Sequence, residues 1–112
     1  MVFAVHNGKN KDRTMNNFEQ LISSSRPTLV DFFATWCGPC KMMHPILEEI
    51  KQSVGDAATV IKIDIDQNEQ LAMQYGVQAV PTLIIFKQGQ PVWMATGVQT
   101  AATVVEQLRK FA

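Results

Sequence analysis

Cysteine is scarce, with two in 112 residues. So small a number excludes a miniature scaffold stapled by disulfides, and a chain of this length can fold around its own hydrophobic core. There is no surplus of charge either. Ten Lys and Arg offset ten Asp and Glu. The one basic run is "KNKDR" at residues 9–13, which reads as a solvated loop, so neither a nucleic acid nor an anionic membrane is expected as a partner. Long apolar runs are missing near the start, where only Val2 to Val5 precede His6 and Gly8. That stretch is too short for a signal-peptide core or a membrane span, which makes the cytoplasm the expected location. No repeat, low-complexity tract or linker divides the sequence, so one domain is expected over residues 1–112.

What is present is an alternation of strand and helix signals. Val2 to His6 reads as a short strand, and a helix from about Met15 to Ser23 would take Thr14 as its cap. "TLVDFFAT", beginning at Thr28, has the near-continuous apolar character of a strand buried on both faces. A second helix starts at the cysteines. Met43, Ile46 or Leu47, Ile50 and Val54 recur at helical spacing, Gly55 is its stop, and Pro45 predicts a kink. "TVIKIDID" alternates Ile61, Ile63 and Ile65 with Lys62, Asp64 and Asp66, the pattern of a half-buried strand. A short helix is expected from Glu69 to Tyr75. "TLIIFK" and "PVWMATG" then flank Gln88-Gly89 as an antiparallel hairpin, and Thr100 caps a last helix with Val104, Val105, Leu108 and Phe111 on one stripe. The order predicts an α/β fold: a central mixed sheet, with a parallel core plus a C-terminal antiparallel hairpin, flanked by about four helices.

The cysteines carry the chemistry. With Cys37 as N-cap, Gly38 and Pro39 fill the first two helical positions, where the missing proline N–H costs nothing. The Cys40 N–H is then left for the Cys37 sulfur, and that donor together with the helix dipole favours a thiolate. Cys37 is therefore expected as a nucleophile, more exposed than Cys40. Cys40 follows as the resolving thiol, because three-residue spacing lets the pair close a small disulfide ring. Two other readings compete: inert core thiols, and a zinc site using Cys37, Cys40, His44 and His6. Zinc pairs usually sit in tight knuckles and no second cysteine pair completes the shell, so redox chemistry is preferred and no metal is expected.

Asp31 stands in the middle of the buried strand, on the face it shares with Leu29 and Phe33. A carboxylate there is costly to desolvate. Either Lys62 on the next strand neutralises it, or burial raises its pKa toward neutrality so that it serves Cys40 as proton acceptor.

"LVDFFAT" followed by "WCGPCK" (Trp36 to Lys41), with "VPT" at Val80 to Thr82, resembles the thioredoxin family over nearly the whole chain. The resemblance implies a thioredoxin fold with the active site at the carboxyl end of the "TLVDFFAT" strand. It implies that Val80-Pro81 is cis, where the residues alone show only a proline starting a strand. The Val80 backbone would pair with an extended segment of a client protein, and Gly97 would let that segment approach. Trp36, Gly38 and Pro39 complete the active-site motif, and Lys62 would tune Asp31. Gly38-Pro39 is the reducing version of the motif, so disulfide reduction in client proteins is the implied activity. Re-reduction would come from NADPH through a flavin-dependent thioredoxin reductase, with no cofactor bound to this chain, which would act as a monomer. Two positions depart from the family. Phe33 replaces a common tryptophan, and His44 stands where a small or basic residue is usual, either near the Cys40 thiol or as a surface helix residue. A role as binding module or subunit in a larger complex is the competing reading.

Overall fold

The computed structural model describes residues 4–5 and 11–112. Five strands, β1 (Ala4–Val5), β2 (Thr28–Phe33), β3 (Thr59–Asp64), β4 (Thr82–Lys87) and β5 (Gln90–Thr96), form one sheet in the order β1-β3-β2-β4-β5. β1, β3 and β2 run parallel, while β4 and β5 are antiparallel additions, as the strand and hairpin signals predict. The remainder of the expected Val2 to His6 strand lies outside the described residues. Four helices cover the sheet: α1 (Lys11–Ile22), α2 (Gly38–Val54), α3 (Glu69–Gln74) and α4 (Ala101–Lys110).

Alternation along the strands divides the core in two. Leu29, Val60, Leu83 and Ile85 pack against α2 and α4 through Met43, Leu47, Ile50, Val104 and Leu108. Val30, Phe32, Ile61, Ile63, Ile84 and Phe86 pack on the other face against Phe18 and Ile22 of α1 and Leu71 of α3. By this alternation Asp31 faces α2, on the same side as Leu29, and sits opposite Lys62 in the parallel register.

Two expectations change. α1 begins at Lys11, so Thr14 is inside the helix rather than its cap; the polar first turn has no apolar position to announce it. β3 ends at Asp64, and Val60, Ile61, Ile63 and Asp64 are all buried, so it is not a half-buried strand. Its place between β1 and β2, under helices on both sides, covers both faces.

Helix ends follow local chemistry. Pro45 leaves α2 continuous, and its exposure puts the lost hydrogen bond on the solvent side. Thr100 caps α4 by accepting from the Thr103 N–H at 3.2 Å. Gln88 and Gly89 have φ of 52° and 82°, both positive as a type I′ turn requires. Their N–H groups donate to Ser24 and Ile22 carbonyls at 3.0 and 2.8 Å, docking the hairpin on the end of α1.

Candidate active site

Cys37 is the N-cap of α2, with extended backbone (φ −90°, ψ 116°). Its Sγ accepts the Cys40 N–H at 3.1 Å, the one early donor that Pro39 leaves available. Cys37 and Cys40 are joined as a disulfide with Cα atoms 5.3 Å apart. Gly38 and Pro39 are exposed at the helix start. The expected contrast in exposure is absent, since Cys37 is 4% and Cys40 5% exposed. Both sulfurs sit under the same cover of Ala34, Phe33, Ile65 and Val80. What separates the two thiols is hydrogen bonding at the helix end rather than access.

The loop before β4 closes over this pair. Val80-Pro81 is a cis peptide, and the Val80 carbonyl oxygen lies 3.6 Å from Cys37 Sγ. Gly97 follows β5 with φ of 92°, and its N–H donates to the Pro81 carbonyl at 2.8 Å. A Cβ at Gly97 would meet nothing within 4 Å, so its backbone conformation, not lack of room, is what calls for glycine. Trp36 is 69% exposed beside the disulfide.

The acid is on β2, the strand that leads into the cysteines. Asp31 is fully buried, and neither carboxylate oxygen has a hydrogen-bond partner among the described residues. Burial pushes its pKa from 3.8 up to about 7, against a smaller lowering by the Lys62 charge. Lys62 does not pair with it directly. The Lys62 ammonium instead donates to His44 Nδ1 at 3.0 Å and lies 4.6 Å from the centre of the Phe33 ring. An ammonium has no lone pair, so Nδ1 must be the acceptor and the ring proton sits on Nε2. An open groove of about 360 Å³ is lined by Cys40, Lys41, His44, Lys62, Phe33, Ala34 and Thr35.

Comparisons with known proteins say which family carries this site. The thioredoxin family model matches residues 9–110. The chain belongs to the thioredoxin family. A thioredoxin-like protein of Synechocystis sp. is 50% identical over 101 residues, covering 90% of this chain and 96% of that protein. A bifunctional thioredoxin reductase/thioredoxin of Mycobacterium leprae is 45% identical over 91 residues, 81% of this chain and 20% of the longer protein. Among solved structures, thioredoxin NaTrxh from Nicotiana alata superposes with a TM-score of 0.84 at 33% identity, covering 98% of this chain and 91% of that one. With the Cys37–Cys40 pair, family membership makes the chain a thioredoxin-type thiol-disulfide oxidoreductase. Members of this family need no bound cofactor, because two sulfurs carry both electrons.

For this thioredoxin-family chain, the zinc reading finds no support in the geometry. Among the described residues no three or more His, Cys, Asp or Glu gather as a metal would require, and His6 lies outside them. No helix among them is long and apolar enough to cross a membrane. Two residues at the site are missing from the sequence expectations. Asp66 anchors Trp36 by accepting its indole N–H at 2.8 Å, and the turn that presents it is tied by Asp64, whose Oδ1 accepts the Asp66 N–H at 2.9 Å. His44 is exposed, as a surface helix residue, yet it holds Lys62. Both contacts span long sequence separations that no local pattern announces.

Proposed function

We propose that the chain reduces disulfides in client proteins. The observation that carries this is the Cys37 sulfur at the helix cap, hydrogen-bonded by Cys40 N–H and beside the Val80 carbonyl. A Cys37 thiolate attacks one sulfur of a client disulfide; the S–S bond breaks and the other client sulfur leaves as a thiolate that takes a proton. Cys40 then gives its proton to the Asp31 carboxylate, directly or through a water, and attacks Cys37 Sγ. The second client sulfur leaves, the client has gained two electrons, and the chain carries the Cys37–Cys40 disulfide. A carboxyl with a pKa of about 7 is partly ionised at neutral pH, which suits it to that proton transfer.

The Val80 backbone, next to Pro81, would pair with an extended segment of the client, with Trp36 and Gly97 flanking it. Re-reduction by a flavin-dependent thioredoxin reductase drawing on NADPH fits this direction of electron flow, and the relative named bifunctional thioredoxin reductase/thioredoxin supports that partnership. A reducing compartment such as the cytoplasm suits it too. A single chain suffices, because both sulfurs, Asp31 and Val80 all belong to it. The test is insulin reduction driven by dithiothreitol: the parent should precipitate insulin chains well ahead of dithiothreitol alone, and Cys37→Ser should lose that advantage. A parent no faster than dithiothreitol would defeat the reading.

A further inference from the structure

His44, Lys62 and Asp31 form a competition that the redox cycle itself does not require. Asp31 and Lys62 are register partners on adjacent parallel strands, so their Cα atoms are only about 5 Å apart. An ammonium starting that close to an unpartnered buried carboxyl would ordinarily pair with it. Here it does not: both Asp31 oxygens are unpartnered among the described residues, while Lys62 turns outward over Phe33 to His44 Nδ1 at 3.0 Å. The neutral imidazole is the hydrogen-bond acceptor that the described structure offers Lys62 at the mouth of the groove.

We propose that His44 is a positioning residue, whose Nδ1 holds the Lys62 ammonium at the groove mouth and away from Asp31, leaving that carboxyl free to exchange protons with Cys40. The proposal rests on the reading that Asp31 serves Cys40. Other charges facing this region are few. β3 contributes Lys62 and Asp64, the latter occupied by the Asp66 N–H, and α2 contributes Cys40, Lys41 and His44. Among the described residues β4 places Leu83 opposite Asp31, β5 (QPVWMAT) carries no titratable side chain, and α4 buries only Ala101, Val104, Val105 and Leu108 toward the sheet. Lys87 lies at the far end of β4, beyond the Phe86–Thr28 pair, where its ammonium donates to the Ala112 carbonyl, so among the described residues of the neighbouring strands Lys62 is the cation in register with Asp31.

The experiment follows the Asp31 carboxyl carbon by NMR against pH in the oxidised protein, where no thiol titrates. His44→Met removes the acceptor and keeps a good helix former, so Lys62 can turn inward and the Asp31 midpoint should fall by about one pH unit, as a close opposite charge demands. His44→Gln, whose carbonyl oxygen can accept from Lys62, should restore a parental midpoint. In a Lys62→Met background, His44→Met should change nothing. An unmoved midpoint in His44→Met, a His44→Gln variant that behaves like His44→Met, or a shift that persists without Lys62 would each overturn the proposal. The titration needs no turnover, so it stands apart from the insulin assay. If the midpoint moves while the pH profile of mixed-disulfide resolution stays fixed, the positioning holds and the Asp31 role in Cys40 chemistry fails.

Discussion

Asparagine at position 31 keeps the shape of the side chain and removes its ionisation, so Asp31→Asn isolates what burying this carboxylate costs. In the folded chain burial raises the pKa from 3.8 to about 7, with Lys62 opposing the rise. The folded state therefore binds this proton more tightly than the unfolded state. Its contribution leaves stability untouched below about pH 4, lowers it progressively as pH rises to about 7, and levels off above. At about 1.4 kcal/mol per pH unit, the cost is just under about 2 kcal/mol at pH 5 and about 4–5 kcal/mol at pH 8. Asp31→Asn escapes that cost. Any penalty for burying the unpartnered amide is independent of pH and cancels between the two conditions. The assay is denaturant unfolding of the oxidised parent and variant at pH 5 and pH 8. The variant's advantage should grow by about 3 kcal/mol between them. An advantage equal at both pH values would refute the reasoning, since Asp31 would then titrate alike in the folded and unfolded chains.

The cysteine pair should label unequally: in the reduced protein iodoacetamide should modify Cys37 before Cys40 below pH 8, because the hydrogen bond at the helix cap favours the Cys37 thiolate. Equal rates would remove the cap argument. In the hairpin, Gln88 carries a positive φ that costs a non-glycine residue stability, so Gln88→Asn, which suits the left-handed conformation better, should stabilise by about 0.5–1 kcal/mol in denaturant unfolding. A lowered midpoint would mean that the Gln88 side chain contributes more than its backbone strain.

The C-terminal hairpin and the cysteine cap were legible because each depends on near neighbours. The Gln88-Gly89 turn joins two adjacent apolar runs, and Pro39 removes one N–H so that Cys40 must supply the cap bond. Asp31 was legible as an anomaly, a carboxylate at a buried position of an apolar strand. Its surroundings were not. Whether Lys62 pairs with Asp31 depends on a rival acceptor eighteen residues before Lys62 in sequence, brought to it by the packing of α2 on the sheet. Trp36 and Asp66 likewise meet only because the turn after β3 ends beside the start of α2. The equal burial of the two cysteines escaped the sequence for a similar reason, because Val80 and Ile65, which help cover them, arrive from distant loops.

The central claim, attack by Cys37 and release by Cys40, is tested most directly by mass spectrometry of Cys40→Ser after mixing the reduced variant with a model protein disulfide. The account predicts one long-lived adduct, a mixed disulfide mapped to Cys37, where the parent under the same conditions shows only free reduced substrate and its own Cys37–Cys40 disulfide. A variant that forms no adduct at Cys37, or that clears the adduct as fast as the parent does, would contradict it.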